Sequence, residues 1–168
     1  MACYLNTKTL TDVSNQLRSR YKSIVLTHGS FDLFHIGHME LLKESKRLGD
    51  YLIVGLDSDE RIKKYKSSKR PIIPLEQRIE VLLENKSVDF VFAIDDSLEF
   101  SNRYFLNLYK NINPSFVTYG RKFGFKDEMN ERKKLLKNCK FSRIKHRYDG
   151  IQSTTGIVEE ITKRYSVN

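Results

Sequence analysis

Four short apolar runs, separated by longer amphipathic stretches, restrict the fold of this 168-residue chain more than any other feature. The runs are Ile24 to Leu26, Tyr51 to Leu56, Phe90 to Ile94 and Phe116 to Thr118. Because polar residues do not alternate within them, each run is typical of a strand that is buried on both faces. Strands that alternate with helices form a parallel sheet with right-handed crossovers, so the sequence predicts an α/β fold.

The amphipathic stretches predict the helices of this fold. Those between the strands are expected near Ile36 to Leu48, Ser58 to Lys66, Leu75 to Glu84, Phe100 to Lys110 and Asp127 to Lys137. Further elements are a first helix at Thr11 to Tyr21, a fifth strand near Phe141 to Ile144 and a closing helix at Thr154 to Tyr165. The expected architecture is a doubly wound parallel sheet of about five strands. We expect a single domain with a core of residues 23–161 and an N-terminal helical extension, residues 1–22.

The charge balance is compatible with several kinds of partner. Thirty Lys and Arg residues against twenty-one Asp and Glu residues give a net charge of +9, which suits nucleic acid, an anionic membrane or small polyanions. Cys3 and Cys139 form no CxxC pair, and the N-terminus lacks an apolar signal core. Because no apolar run approaches the roughly 18 residues of a membrane helix, we expect a cytoplasmic protein without a membrane partner.

The segment after the first strand carries the strongest functional signal. It reads Thr27-His28-Gly29-Ser30-Phe31-Asp32-Leu33-Phe34-His35-Ile36-Gly37-His38 and leads into a predicted helix. In a parallel sheet this turn lies at the carboxyl edge, and a helix N-terminus offers N–H groups and positive potential to a phosphate. His35 and His38 share one face of the first helical turn. The segment therefore predicts a phosphate-binding turn, with a metal site of His28, Asp32, His35 and His38 as an alternative.

This segment resembles the GxFDxxHxGH pattern of the cytidylyltransferase-like nucleotidylyltransferases, the HxGH class. Its six fixed positions are Gly29, Phe31, Asp32, His35, Gly37 and His38. The stretch Pro71 to Arg78 is similar to the helix start that delivers a substrate-binding arginine, and Ser153-Thr154-Thr155 looks like the family's late STT motif. The resemblance covers Ser23 to Ile161. It implies a Rossmann-like fold, a homodimer, and transfer of a nucleotide from a nucleoside triphosphate to a phosphorylated acceptor with release of pyrophosphate.

The resemblance also implies a role for each matched residue. Catalytic roles fall to His35, His38, Arg78 and a loop lysine, for which Lys66 is favoured over Lys63, Lys64 and Lys69. Nucleotide binding falls to the two histidines and to Thr27, Gly29, Ser30, Phe31, Asp32, Gly120, Ser153, Thr154 and Thr155. Arg78 and Asp57 are expected to bind the acceptor. Such a reaction needs alignment and charge neutralisation, with Mg²⁺ on the triphosphate, and no metal held by the protein alone is expected.

Two groups of motifs favour different nucleotides. Phe31 to His35 and Tyr51 to Glu60 resemble cytidylyltransferases, but Arg147 to Ser153 is one residue longer than the RTxxISTT pattern of the glycerol-3-phosphate enzymes. Arg70 to Arg78 looks like the nucleotidyl domain of ADP-heptose synthase and the archaeal-type FMN adenylyltransferases, which use ATP. We expect CTP and a sugar or polyol phosphate such as glycerol 3-phosphate, with ATP as the alternative. A nucleic-acid-binding domain, suggested by the basic stretch Arg121 to Lys126, is a more distant alternative.

Overall fold

The computed structural model describes residues 1–94, 102–120, 126–145, 147 and 153–165. The elements in chain order are β1 (Cys3–Tyr4), α1 (Thr7–Ser19), β2 (Ile24–Gly29), α2 (Ile36–Lys46), β3 (Tyr51–Asp57), α3 (Asp59–Tyr65), α4 (Leu75–Leu83), β4 (Phe90–Ile94), α5 (Asn102–Ile112), β5 (Phe116–Tyr119), α6 (Lys126–Leu135), β6 (Lys140–Arg143) and α7 (Thr154–Tyr165). Strands and helices alternate as the apolar runs predict, except that two helices, α3 and α4, lie between β3 and β4.

Six strands form one sheet in the order β1-β4-β3-β2-β5-β6, and every pairing among the described strands is parallel. The prediction of a doubly wound parallel sheet is confirmed, whereas the expected count of about five strands is wrong. The additional strand is β1, in which Cys3 pairs with Phe90 and Tyr4 with Val91. Two exposed residues at a sheet edge carry no apolar run, so the sequence gave no signal for this strand.

The N-terminal segment belongs to the packed fold. The helix α1 begins earlier than the predicted Thr11, because the Asn6 side chain accepts a hydrogen bond from the Thr9 N–H at 3.0 Å and caps the helix. Leu10 and Leu17 on α1 are buried in the core that α5 covers. Residues 1–22 therefore contribute a strand, a helix and core side chains, and they are more than a helical extension.

Hydrophobic side chains pack on both faces of the sheet. On β2, Ile24 and Leu26 point into the cluster covered by α1 and α5, whereas Val25 points into the cluster covered by α2 and α4. The central strands are buried on both sides, which is why their sequences show unbroken apolar runs. The chain runs from β2 outward through β3 to β4, and then crosses to the other side of β2 for β5. Ligands of such sheets bind where the order reverses, at the carboxyl ends of β2 and β5.

Candidate active site

The turn between β2 and α2 lies at this reversal point, and its backbone is strained. Phe31 has φ 48° and Leu33 has φ 46°, the left-handed region that side chains other than glycine rarely adopt. Phe31 is only 3% exposed and packs in the core cluster beneath the turn. Strained backbone that the surrounding packing maintains is concentrated at functional sites.

The two histidines of the turn lie in direct contact. Their rings stack with centroids 3.7 Å apart and an interplanar angle of 22°. His35 also caps α2, because its Nδ1 accepts the Gly37 N–H at 3.1 Å. An accepting Nδ1 carries no proton, so in neutral His35 the proton resides on Nε2, which can donate to a ligand. The rings of Phe31 and Phe34 contact the imidazole ring of His38, at centroid distances of 5.0 Å and 5.6 Å.

The structure brings Lys66 to the same turn. Its Nζ donates to the Ser30 Oγ at 2.7 Å, although much of its long side chain is exposed. Burial of the ammonium lowers the pKa of Lys66 below its usual value. The positive charge of Arg70 has a smaller effect in the same direction. By contrast, Lys63 forms an exposed pair with Glu60. Among the lysines that the sequence left open, Lys66 is therefore the one that the geometry favours.

Asp32 binds the loop that precedes α4. Its carboxylate, with no exposed surface, accepts hydrogen bonds from the Arg70 Nε at 2.7 Å and from the backbone N–H groups of Ile72 and Ile73. Burial alone would raise the pKa of Asp32, but the two backbone donors and Arg70 outweigh it and lower the pKa. Asp32 is thus an ionised anchor for the end of the lysine loop, residues 66–74 between α3 and α4.

Arg78 lies beneath the site. Its side chain is 2% exposed, and its nitrogens donate to the carbonyl oxygens of Ile73, Ser30 and Asp57 and to the Asp59 carboxylate. The sequence predicted contact with phosphate or acceptor, whereas the structure directs the guanidinium to protein acceptors in the turn after β2, at the end of β3, at the start of α3 and in the loop before α4. Arg78 therefore holds together the backbone segments beneath the site.

Three further residues that the sequence predicted as ligands have their polar groups directed into the protein. Thr27 is fully buried and donates to the Thr118 carbonyl at 3.1 Å. The Thr154 hydroxyl donates to the Asp32 carbonyl at 2.6 Å. The carboxylate of Asp57 accepts Arg61 Nε at 2.9 Å and the Tyr65 hydroxyl at 2.8 Å. These contacts hold the site together, and none of the three groups faces open solvent.

The remaining predicted ligands lie at the open edge of the site. Ser153 caps α7 by accepting the Gly156 N–H at 3.0 Å, and Thr155 is exposed beside it. Thr154 brings the N-terminus of this helix to the turn. Gly120 follows β5, and a Cβ there would meet nothing within 4 Å, so its backbone is open to approach. The sequence positions 121–125 and 148–152, which include part of the basic stretch and of the altered RTxxISTT segment, lie outside the described residues.

A second polar cluster, on the α5 side of β2, was not predicted as a unit. The half-buried His28 lies 3.0 Å from the Tyr109 hydroxyl through its Nε2 and contacts the ring of Phe105. The guanidinium carbons of Arg61 and Arg132 lie 4.5 Å and 4.6 Å from the centroid of the same Phe105 ring. Burial, partly offset by the charge of Asp57, lowers the pKa of His28 to about 4. Arg61 and Arg132 lie on separate helices, so no local motif in the sequence indicated this cluster.

The metal alternative finds no support in this geometry. Within residues 1–94, 102–120, 126–145, 147 and 153–165, no three His, Cys, Asp or Glu side chains come together as a possible metal site. Asp32 faces Arg70, and His28 faces Tyr109 on the opposite side of β2 from α2.

Among the described residues, no helix is long and apolar enough to span a bilayer.

The fold and the turn together define a class of protein, the nucleotidyltransferases. Residues 26–166 match the model of the cytidylyltransferase-like family, and the chain belongs to that family. The similar curated proteins include bifunctional protein HldE of Syntrophotalea carbinolica, 33% identical over 160 residues, and HldE of Geobacter sulfurreducens, 31% identical over 160 residues. These alignments cover 94% and 95% of this chain and 31% of each relative, so the chain spans about a third of the length of these proteins.

Solved structures show the same architecture. A lipopolysaccharide core biosynthesis protein from Thermoplasma volcanium superposes with a TM-score of 0.63 at 30% identity, covering 76% of this chain and 99% of that one. A pantoate-beta-alanine ligase from Francisella tularensis gives a TM-score of 0.65 at 20% identity, covering 99% of this chain and 79% of that one. The second likeness concerns the fold alone.

Proposed function

We propose that this chain transfers a nucleotide from a nucleoside triphosphate to a small phosphorylated acceptor and releases pyrophosphate. One observation carries the proposal: the stacked pair of His35 and His38 lies at the N-terminus of α2, and the Lys66 ammonium lies on the same turn. Imidazole N–H groups, an ammonium and a helix N-terminus all stabilise phosphate charge. Their convergence on one strained turn suits a triphosphate.

The chemistry needs no protein nucleophile. An oxygen of the acceptor phosphate attacks the α-phosphorus, and the bond from that phosphorus to the bridging oxygen of pyrophosphate breaks. Negative charge grows on the leaving pyrophosphate, to which the Nε2–H of His35 and the Lys66 ammonium can donate. The protein contributes by aligning the two reactants and by stabilising this charge.

Mg²⁺ is proposed to arrive with the nucleotide. Mg²⁺ prefers phosphate and carboxylate oxygens, but the carboxylates of Asp32 and Asp57 are already engaged by donors of the protein. The residues around the turn therefore fit a metal that the triphosphate holds through its own oxygens. When bound there, the ion neutralises phosphate charge.

ATP is the nucleotide we favour, in place of the CTP that the sequence alone suggested. Support comes from the HldE relatives and the lipopolysaccharide core biosynthesis protein, and from the likeness of Arg70 to Arg78 to the nucleotidyl domain of ADP-heptose synthase. Arg147 stands where glycerol-3-phosphate cytidylyltransferases carry an arginine, but its guanidinium pairs with Glu44 on α2 at 2.9 Å and its N–H donates to Glu40. We therefore propose AMP transfer to a sugar phosphate of the heptose phosphate type.

CMP transfer to a polyol phosphate is the second candidate, supported by the match of Gly29 to His38 to the cytidylyltransferase pattern. The test is pyrophosphate release with ATP, CTP, GTP or UTP, each against sugar, polyol, choline and flavin phosphates, with acceptor-free reactions as controls. Mass spectrometry identifies the product. Release with ATP and a sugar phosphate is expected. Release with CTP and a polyol phosphate would support the second candidate, and no release with any pair would contradict both.

A further inference from the structure

Lys66 reaches the turn from a defined starting point. It caps the C-terminus of α3, where its backbone N–H donates to the Ile62 carbonyl at 2.9 Å. From there, four methylene groups carry the ammonium to the Ser30 hydroxyl. A side chain this flexible holds one position only if its backbone is fixed, because each free torsion costs conformational entropy on ordering. The last turn of α3 therefore decides where the ammonium lies.

That last turn is fixed by Tyr65. Its hydroxyl donates to one carboxylate oxygen of Asp57 at 2.8 Å, while Arg61 Nε donates to the other at 2.9 Å. Asp57 is 4% exposed and ends β3, so both contacts connect α3 to the sheet. The tyrosine ring also contacts the lysine directly, with Lys66 Nζ 5.5 Å from its centroid. Tyr65 thus contacts both the sheet and the lysine.

The Tyr65 hydroxyl remains a donor at all working pH values. Burial, and then the charge of Asp57, raise the pKa of Tyr65 far above its usual value, which outweighs the opposite effects of Arg61 and Ser30. The hydrogen bond to Asp57 is therefore not lost by ionisation. At its other end, the lysine loop is held by the pair of Arg70 with Asp32.

We propose that Tyr65 is a positioning residue for the transfer reaction, which holds Lys66 against the phosphate-binding turn through its hydrogen bond to Asp57. The inference rests on the proposed function, because it assigns the lysine to the reacting phosphates. No motif in the sequence indicated Tyr65, and its hydroxyl is directed at a carboxylate of the protein and not at the open edge of the site.

A double-mutant cycle tests the proposal. Tyr65→Phe removes only the hydroxyl, and it should lower kcat by about tenfold or more, since small misplacements of a catalytic group have large effects. In a Lys66→Ala background the same change should alter kcat by less than about twofold, because the group it positions is gone. An equal loss in both backgrounds, or no loss in either, would overturn the proposal.

Ser58→Ala is the matched control. Ser58 caps the N-terminus of the same helix by accepting the Arg61 N–H at 3.2 Å, so its loss destabilises α3 without removing the Tyr65 hydroxyl. We expect Ser58→Ala to lower the unfolding midpoint as much as Tyr65→Phe while keeping kcat close to that of the wild type. If kcat instead fell equally in both variants, general weakening of α3 would explain the effect and the proposal would fail.

A measurement on the resting protein separates this inference from the proposed function. After ¹³C-methylation of the lysines, NMR titration gives the pKa of Lys66, whose signal is identified by its absence in Lys66→Arg. Tyr65→Phe should raise this pKa towards the ordinary value, because a released ammonium regains water, whereas Ser58→Ala should leave it unchanged. An unchanged pKa in Tyr65→Phe would overturn the positioning role. Absence of turnover in the wild type would count against the proposed function instead.

Discussion

The Asp32 carboxylate and the Arg70 guanidinium form an ion pair in which Nε donates to Oδ2 at 2.7 Å, and the aspartate has no exposed surface. This pair connects the turn between β2 and α2 to the loop before α4 across 38 positions of sequence. Because the backbone N–H groups of Ile72 and Ile73 also donate to this carboxylate, a single side chain fixes the path of residues 70–73.

Asp32→Asn should destabilise the protein by about 3 kcal/mol, because the half-buried Arg70 loses its counter-charge and the new side-chain NH2 group faces the donors that the carboxylate accepted. Urea unfolding of wild type and variant measures the difference. Glu160→Gln, which removes an exposed pair with Arg164, is the control and should cost less than about 1 kcal/mol. Equal losses in the two variants would contradict the anchoring role.

His35 has two separable roles, and two substitutions distinguish them. Asn can cap a helix but cannot replace the imidazole donor, so His35→Asn should lower turnover by about 100-fold or more while the unfolding midpoint stays near that of the wild type. His35→Ala should lose both turnover and about 1 kcal/mol of stability. Pyrophosphate release and thermal unfolding provide the two readouts. Full turnover in His35→Asn would exclude the donor role.

Arg78→Lys distinguishes a ligand from a structural clamp. A lysine cannot reach three carbonyl oxygens and the Asp59 carboxylate together, so the substitution should destabilise the ligand-free protein by about 3 kcal/mol. Arg147→Lys, at an exposed pair with Glu44, should change stability by less than about 1 kcal/mol. A raised KM in Arg78→Lys with unchanged stability would restore the phosphate-binding role that the sequence suggested.

His28 should make stability depend on pH. Its pKa is about 4 in the folded protein and near 6.5 when unfolded, so the unfolded chain binds the additional proton. Its contribution is complete above pH 6.5 and is lost as the pH falls towards 4, by up to about 1.4 kcal/mol per pH unit. Denaturant unfolding between pH 4 and pH 7 should show a steeper decline in wild type than in His28→Asn. Parallel profiles would show that His28 is not titrated in this way.

The sequence predicted the architecture because its signals are local. Unbroken apolar runs mark strands buried on both faces, and the glycines and histidines between His28 and His38 mark the turn. It did not predict that Arg78 contacts the Ser30 carbonyl or that Thr154 contacts the Asp32 carbonyl, because these partners lie 48 and 122 positions away in the chain. A motif specifies a residue type at a position, whereas the destination of each donor depends on the packed fold. Mg²⁺ use, dimer formation and a cytoplasmic location stay predictions.

The hydrogen bond from the Thr154 hydroxyl to the Asp32 carbonyl implies an order in which the parts of the site form during folding. The turn appears early in the chain, but α7 can support it only after nearly all of the described chain has been synthesised. Pairings between distant segments also form slowly, because loop closure must precede them. A ribosome-bound nascent chain that ends before Thr154 would therefore contain both histidines without a completed site. The proposed nucleotide binding should emerge late, together with the docking of the last described helix.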